Sequence, residues 1–425
     1  MHLTRRTTCR VCGSTALNRV VDLGEQCLQG SFVKPGKELP PKRAVPTSLV
    51  RCDPMRAENA CGLLQMEHTV PPEILYSAYW YRSGTNATMR NHLAALAAEC
   101  TSILGRTAGR VLDIGCNDGT LLAAFDGGFE KFGIDPSDIA LEIEGGAQVI
   151  HDLFPSEQLV RALRDKKCDV VTSIAMFYDL EDPVQFAREI KRVLADDGLW
   201  CFEMSYMPRM LELTSYDTIC HEHLEYYSLA VVEQILRRAG LSVVSASMND
   251  INGGSLRCYA THIGNGCFAS EERLRGLRAI RQSEFDLALD TDAPYKSFQD
   301  RVNAHRVELS LLLKRLKADG KRIHVYGAST KGNTILQWCG IDSHLVEVAA
   351  ERNPDKFGAL TLGTNIPIVS EAESRAQKPD FYLVLPWHFK REFLEREAET
   401  MRQGTAFIFP LPTVEVVTAH GLART

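Results

Sequence analysis

The chain has 425 residues, 45% hydrophobic and 24% charged, enough to bury the cores of about three globular domains. Its 54 acidic residues outnumber 48 Lys and Arg, and the formal charge of −6 excludes a global basic field for nucleic acid. Thirteen cysteines, no signal-peptide core in residues 1–30 and no bilayer-length apolar run lead us to expect a cytoplasmic protein without a membrane partner.

The first motif is Cys9-Arg10-Val11-Cys12-Gly13, a C-x-x-C-G knuckle, answered by Cys52 and by Cys61-Gly62. Four thiolates from two knuckles make a closed tetrahedral site, and a glycine after the cysteine permits the tight turn. We expect Cys9, Cys12, Cys52 and Cys61 to hold one structural Zn2+ in a domain over 1–70. The C-x8-C spacing is wider than usual, and four unpaired buried thiols are the competing reading. A unit this small has little core of its own, so a metal staple is useful. Residues 73–106 read as a connector. Its aromatic loop, Tyr79-Trp80-Tyr81-Arg82, is suited to cover a ligand, and Met89, Leu93, Leu96, Ala97, Cys100 and Leu104 then recur at helical spacing.

Val111-Leu112-Asp113-Ile114-Gly115-Cys116-Asn117-Asp118-Gly119 reads as a buried strand followed by a glycine turn, with Leu121-Leu122 opening a helix. A second strand, Phe132-Gly133-Ile134, ends in Asp135. A strand–glycine turn–helix–strand–acid unit binds a nucleoside, with the acid on the ribose; the bland alternative is an ordinary βα turn. The dinucleotide fingerprint G-x-G-x-x-G is absent, and Asp118 would repel a pyrophosphate. Asp113 and Asp118 instead suit a cation, such as the sulfonium and ammonium of S-adenosylmethionine. We therefore expect that cofactor on Asp113, Gly115, Cys116, Asn117, Gly119 and Asp135, with Tyr81 over it. The alternation continues through a strand at 169–176, a helix at 183–195 and a strand at 199–203, which predicts a doubly wound α/β sheet within 71–265.

Residues 216–228 crowd His221, Glu222, His223, Glu225, Tyr226 and Tyr227 together. In extended chain His221 and His223 share one face and Glu222 takes the other. H-E-x-x-H is absent, so a general base is a better use than a metal site, with a neighbouring carboxylate orienting the imidazole. Polar groups anchoring a loop remain the alternative. The turn Asn252-Gly253-Gly254-Ser255 fits a hairpin or a ligand contact equally well.

Two helices fill 271–318, the second burying Phe298, Val302, Leu309, Leu312, Leu313 and Leu316. A second α/β unit follows, with strands at 322–326, 346–349, 381–385 and 406–409 within a domain over 266–425. Its loop Gly327-Ala328-Ser329-Thr330-Lys331-Gly332-Asn333-Thr334 has Asn333 where a P-loop needs lysine, which excludes an NTPase. Lys331 either helps hold an anion such as a diphosphate or is simply solvated.

V-L-D-I-G-C-N-D-G resembles motif I of the class I methyltransferases. Two cysteine knuckles, this unit, the C-H-E-H-x-x-Y-Y loop and the K-G-N-T loop together resemble the three-domain sugar C-methyltransferases of deoxysugar biosynthesis. The resemblance implies a zinc-binding domain, a central class I methyltransferase domain and a C-terminal Rossmann-like domain. It also implies methylation of a carbon beside the ketone of a nucleotide-linked, typically dTDP-linked, 4-keto sugar. By that resemblance His223 is the base and Glu222 assists it, and we count Tyr226 of the same cluster as catalytic. Tyr79, His221, Gly254, Ser255, Gly327, Ser329, Lys331, Asn333 and Thr334 would face the nucleotide sugar. Cys220 and Phe177-Tyr178 depart from relatives that carry Tyr and His there. The rival enzymes are an O- or N-methyltransferase on such sugars and a zinc-bearing RNA methyltransferase, the latter disfavoured by the acidic balance. We expect a small-molecule substrate and a monomer or weak homo-oligomer.

Overall fold

The apolar runs of the central third become a seven-stranded sheet in the computed structural model, which describes residues 3–37, 44–75 and 82–423. Tyr79 and Tyr81 lie outside the described residues. In spatial order the strands are Leu241–Asn249, Ser255–His262, Leu194–Ser205, Cys168–Ile174, Gly109–Ile114, Phe129–Ile134 and Ala147–Ile150. All pairings are parallel except those of Ser255–His262, which runs against both its neighbours. Strand order reverses direction at Gly109–Ile114, so the carboxyl ends of that strand and of Cys168–Ile174 flank the crevice where such sheets bind ligands. The doubly wound α/β sheet expected from the alternation is therefore present. The acidic turn Asp196-Asp197-Gly198 does not end the preceding helix. That helix stops at Val193, and the turn is a bulge inside the strand, between the pairings of Leu194 and Leu199.

A second seven-stranded sheet repeats this logic near the C-terminus. Its order is Ile368–Ser370, Ala349–Glu351, Ile323–Tyr326, Phe381–Val384, Ala406–Phe409, Glu415–Thr418 and Gly421–Ala423, the first five parallel and the last two in antiparallel hairpins. Its reversal lies between Ile323–Tyr326 and Phe381–Val384. The helix Ala293–Ala318 buries Phe298, Val302, Leu309 and Leu313 in the same core, along the stripe expected from the sequence.

The N-terminal unit is an antiparallel sheet of Leu17–Gln26, Val45–Cys52, Leu64–Met66 and, on its edge, Glu225–Tyr226. That edge strand comes from the middle of the chain, immediately after the histidine-rich loop. The N-terminal unit also sends Phe32–Val33 to pair with Leu360–Thr361. It is thus paired with short strands from both α/β units, which ties the three units together. No helix among the described residues is long and apolar enough to cross a membrane.

Candidate active site

The two cysteine knuckles close on each other. Gly13 and Gly62 take φ of 73° and 84°, the left-handed turns that follow each pair. Cys9 Sγ lies 3.5 Å from Cys61 Sγ and Cys12 Sγ 3.4 Å from Cys52 Sγ, with all four sulfurs within 4.8 Å of one another. A tetrahedral Zn2+ with Zn–S of about 2.3 Å needs S···S of about 3.8 Å, so the donor set fits a closed structural zinc with no open position.

At the central crevice, the expected cofactor residues divide by what each side chain or backbone does. Asp113 is buried, accepts a 2.6 Å bond from Thr172 Oγ1, and is pushed up to about 7, first by burial. Asp135, ending the second strand, accepts from Asn117 N at 2.9 Å and from Ser137 N and Oγ at 2.8 and 2.6 Å. A carboxylate offers about four acceptor positions, so room for a ribose hydroxyl remains. Gly115 and Gly119 have φ of 76° and 75°, and a Cβ on Gly115 would sit 3.4 Å from Met176 across the crevice. Cys116 differs from expectation: its side chain is buried in the core beside Gly133, so only its backbone borders the crevice. Asp118 differs too. Its charge serves Gly84 N at 2.6 Å and caps Thr120 rather than facing a cation.

The loop after the central sheet is not extended. His223 N donates to Cys220 O at 3.1 Å, closing a turn that sends successive side chains to different units. His221 is buried against the N-terminal sheet, with Nδ1 2.7 Å from Gln29 Oε1 and Nε2 3.2 Å from Thr47 Oγ1. It anchors the loop and cannot reach a substrate. Burial holds it down at about 4 against its ordinary 6.5. Between those values the unfolded chain takes up a proton that the folded one refuses. Stability should therefore fall by about 1.4 kcal/mol for each pH unit below about 6.5, down to about 4. His221→Gln should remove that contribution from the pH dependence of Tm, followed by calorimetry from pH 7 to 4.5.

Glu222 and His223 are half-buried in the cleft where residues of the three units meet, Glu222 against Gly30 and Thr330 and His223 beside Tyr178 and within reach of the Lys331 charge. His223 Nδ1–H donates to Thr218 O at 2.8 Å, since a carbonyl can only accept. Neutral imidazole is thereby fixed in the tautomer whose Nε2 carries a lone pair toward the cleft. Thr218 O, and not the expected neighbouring carboxylate, orients the ring. Tyr178, just past the carboxyl end of Cys168–Ile174, lies against the His223 ring with centroids 4.4 Å apart, which places the imidazole at the mouth of the cofactor crevice. Burial, then the Lys331 ammonium, pushes His223 down to about 3, while burial raises Glu222 to about 7 with Thr330 partly opposing it. Tyr226 is buried and its hydroxyl reaches the same Thr218 carbonyl at 3.4 Å. It thereby supports the loop that carries His223.

Gly30 presses on the Glu222 carboxyl: a Cβ there would lie 1.7 Å from Oε1. Gly30→Ala should leave folding intact, because the carboxyl can swing aside. It should lower turnover by about 10²-fold through that displacement, measurable in single-turnover assays.

The C-terminal loop contributes less than its sequence suggests. Ser329 Oγ caps its own helix at Gly332 N, 3.1 Å away, and Gly327 packs on Pro386. Asn333 Nδ2 donates to Gln29 O at 2.6 Å and Thr334 Oγ1 to Ile219 O at 3.1 Å, both buried. These expected substrate ligands are instead the bolts between units. Ser255 is likewise spent, donating to Ile251 O at 2.9 Å, and a Cβ on Gly254 would meet Arg209. Lys331 does enter the cleft, its Nζ 2.8 Å from Asn252 O on the glycine turn. Glu203 is tied to His92 at 2.7 Å, Arg257 at 2.8 Å and Asn249 at 2.9 Å, and so braces that turn from below. Sequence reasoning missed Thr218, Thr330, Trp387 and His388. Thr218 acts through a backbone carbonyl, which no motif marks, and Thr330 stands inside the Gly327–Thr334 loop with nothing local to set it apart from its neighbours. The last pair follows the fourth strand of the second sheet, as Phe177-Tyr178 follows that of the first, and that parallel was readable.

Residues 9–76 match a family described as a zinc binding domain, 81–246 a methyltransferase domain, and 250–412 a C-methyltransferase C-terminal domain. The C-methyltransferase NovU of Streptomyces niveus is 28% identical over 425 residues, covering 97% of each chain. Among solved structures, an S-adenosylmethionine-dependent methyltransferase from Clostridium acetobutylicum is 10% identical over 41% of this chain and 92% of its own, with a TM-score of 0.34. Magnesium protoporphyrin IX methyltransferase from Synechocystis, with bound SAH, is 16% identical over 43% and 90%, also with a TM-score of 0.34. With its cysteine cluster, its methyltransferase sheet and its C-terminal unit in this order, the chain belongs to the three-domain C-methyltransferases and is an S-adenosylmethionine-dependent enzyme carrying a structural zinc.

Proposed function

We propose that the methyl acceptor is a carbon beside the ketone of a nucleotide-linked sugar, most simply a dTDP-linked 4-keto hexose, with His223 as the base. The observation that carries this reading is the His223 tautomer, with Nε2 open to a cleft that abuts the cofactor crevice. S-adenosylmethionine, bound by the residues around Gly115 and Asp135, would supply an electrophilic methyl group.

The chain's own residues account for the rest. Neutral His223 takes the proton α to the ketone on Nε2, and Thr218 O stabilises the resulting imidazolium through Nδ1–H. A carboxyl raised to about 7 is half protonated near neutrality, so Glu222 can donate a hydrogen bond to the enolate oxygen as its charge grows. Lys331 suppresses the basicity of His223 until an anionic group offsets its charge. Holding the two reactants at near-attack distance between the sheets would supply about 7–11 kcal/mol of the barrier reduction. The acidic balance supports a small-molecule acceptor over RNA. Thirteen cysteines, an odd number with four placed to hold zinc, support a reducing cytoplasm, and we take the enzyme as a monomer or weak homo-oligomer.

Incubation with S-adenosylmethionine and a panel of 4-keto nucleotide sugars tests the proposal. A new C–CH3 signal by NMR and deuterium exchange at the α carbon are expected. An O–CH3 or N–CH3 product would overturn it.

A further inference from the structure

One polar group of the cleft takes no part in proton abstraction. His388 stands in the short turn Trp387–Phe389 after the strand Phe381–Val384, at the reversal crevice of the C-terminal sheet. Lys331 stands in the helix that follows the other strand of that crevice, Ile323–Tyr326. The turn is held rigidly. Trp387 Nε1 donates to Asp217 Oδ2 at 2.9 Å, and a Cβ on Gly253 would meet the Trp387 ring at 3.3 Å. Phe389 lies against the His388 ring, centroids 4.3 Å apart.

The His388 imidazole is half-buried, and its Nδ1 is enclosed with no hydrogen-bond partner among the described residues. The titratable groups around this end of the cleft are few. Lys331 acts on His388 directly and also on His223, while Lys331 itself faces Asp217 and Cys220. Glu222 lies beyond, against Thr330. Burial and then Lys331 hold His388 down at about 3, so it stands neutral beside a cation. The enclosed Nδ1 is out of a ligand's reach, and the ring's other nitrogen, Nε2, which is not enclosed, is the one an anion would meet. Two groups able to carry positive charge, on opposite sides of a switch-point crevice, match an anion with charged oxygens on both flanks.

We propose that His388 is a proton-accepting anion ligand: with Lys331 it holds the diphosphate linkage of the substrate, and it becomes imidazolium as that linkage enters. The inference rests on the nucleotide-sugar reading and adds to it the residue that grips the linkage and the proton that accompanies binding. The proton comes from solvent, so the buffer loses one for each anion bound.

The test is calorimetric titration of the zinc-loaded full chain and of His388→Gln at pH 7, with inorganic pyrophosphate and with dTDP, in two buffers of different ionisation heat. Ionisation of the probe itself is common to both proteins and cancels in the difference. We expect the wild type to take up about one more proton per anion than the variant, and the variant to bind at least about tenfold more weakly. Affinity of the wild type should tighten toward acid, because protonation favours the bound state. Equal proton uptake and equal affinity would overturn the proposal. Should the variant fold poorly, judged by Tm and S-adenosylmethionine affinity, histidine-labelled wild type decides: pyrophosphate must move the His388 Cε1 resonance to its imidazolium position, and an unmoved resonance overturns the proposal. Proton-linked pyrophosphate binding without methylation of any nucleotide sugar would keep the anion seat and sink the substrate reading. Methylation without linkage to His388 would do the reverse.

Discussion

His223→Ala is expected to lower turnover by about 10²- to 10⁴-fold, the usual contribution of a positioned general base, with S-adenosylmethionine affinity unchanged. The side chain lies against Tyr178 at the cofactor crevice, whereas Asp113, Asn117 and Asp135 sit on separate strands and turns. Loss of the imidazole therefore removes the proton acceptor without touching those partners. His223→Gln is a stricter variant, since its amide can still donate to Thr218 O while lacking a basic nitrogen. Deuterium exchange at the substrate's α carbon, followed without methyl transfer, isolates the step. Exchange at the wild-type rate in either variant would remove His223 from the mechanism.

Removal of zinc is expected to abolish turnover while leaving cofactor binding within about twofold. Structural zinc contributes roughly 10–16 kcal/mol in small zinc peptides at neutral pH, which equals or exceeds the whole stability of an ordinary domain. Without it the N-terminal sheet loses its closure, and the active-site loop loses its anchors on both sides of the base. Before His223, His221 is held by Gln29 and Thr47. After it, Met66 N donates to Leu224 O at 2.8 Å and Glu225–Tyr226 pair with the strand Leu64–Met66. Arg10, between the two cysteines of the first knuckle, adds buried bonds to Gln65 and Met66. Cys52→Ser, or a chelator with colorimetric counting of released zinc, should therefore lower Tm and eliminate product. Cofactor affinity by calorimetry should survive, because the crevice residues belong to the central sheet. Full activity in a zinc-free chain would refute this coupling.

The active site is only partly legible from neighbouring residues. In the sequence Lys331 fits a solvated lysine as well as an anion ligand; in the fold its ammonium lies against Asn252 O and acts on His223. His221, Asn333 and Thr334 have the right chemistry for a ligand, yet each spends it on a loop from another part of the chain. Gly30 carries no motif, and its importance comes from the Glu222 carboxyl that fills the space of its missing side chain.

By itself the sequence determined what depends on local spacing. The α/β alternation, the glycine turn and acid of the cofactor unit, the helix stripes and the cysteine knuckles all repeat a short-range pattern that backbone geometry converts directly into structure. Tertiary structure alone decided which of three adjacent polar side chains at 221–223 faces the chemistry. A tight turn in place of extended chain sends His221 to the N-terminal sheet and leaves Glu222 and His223 in the cleft. That choice depends on strands more than a hundred residues apart in sequence, Leu64–Met66 and Glu225–Tyr226, whose pairing no local pattern encodes. The orientation and basicity of His223 follow from it, because its hydrogen bond to Thr218 O, its aromatic neighbour Tyr178 and the opposing Lys331 ammonium come from three separate segments.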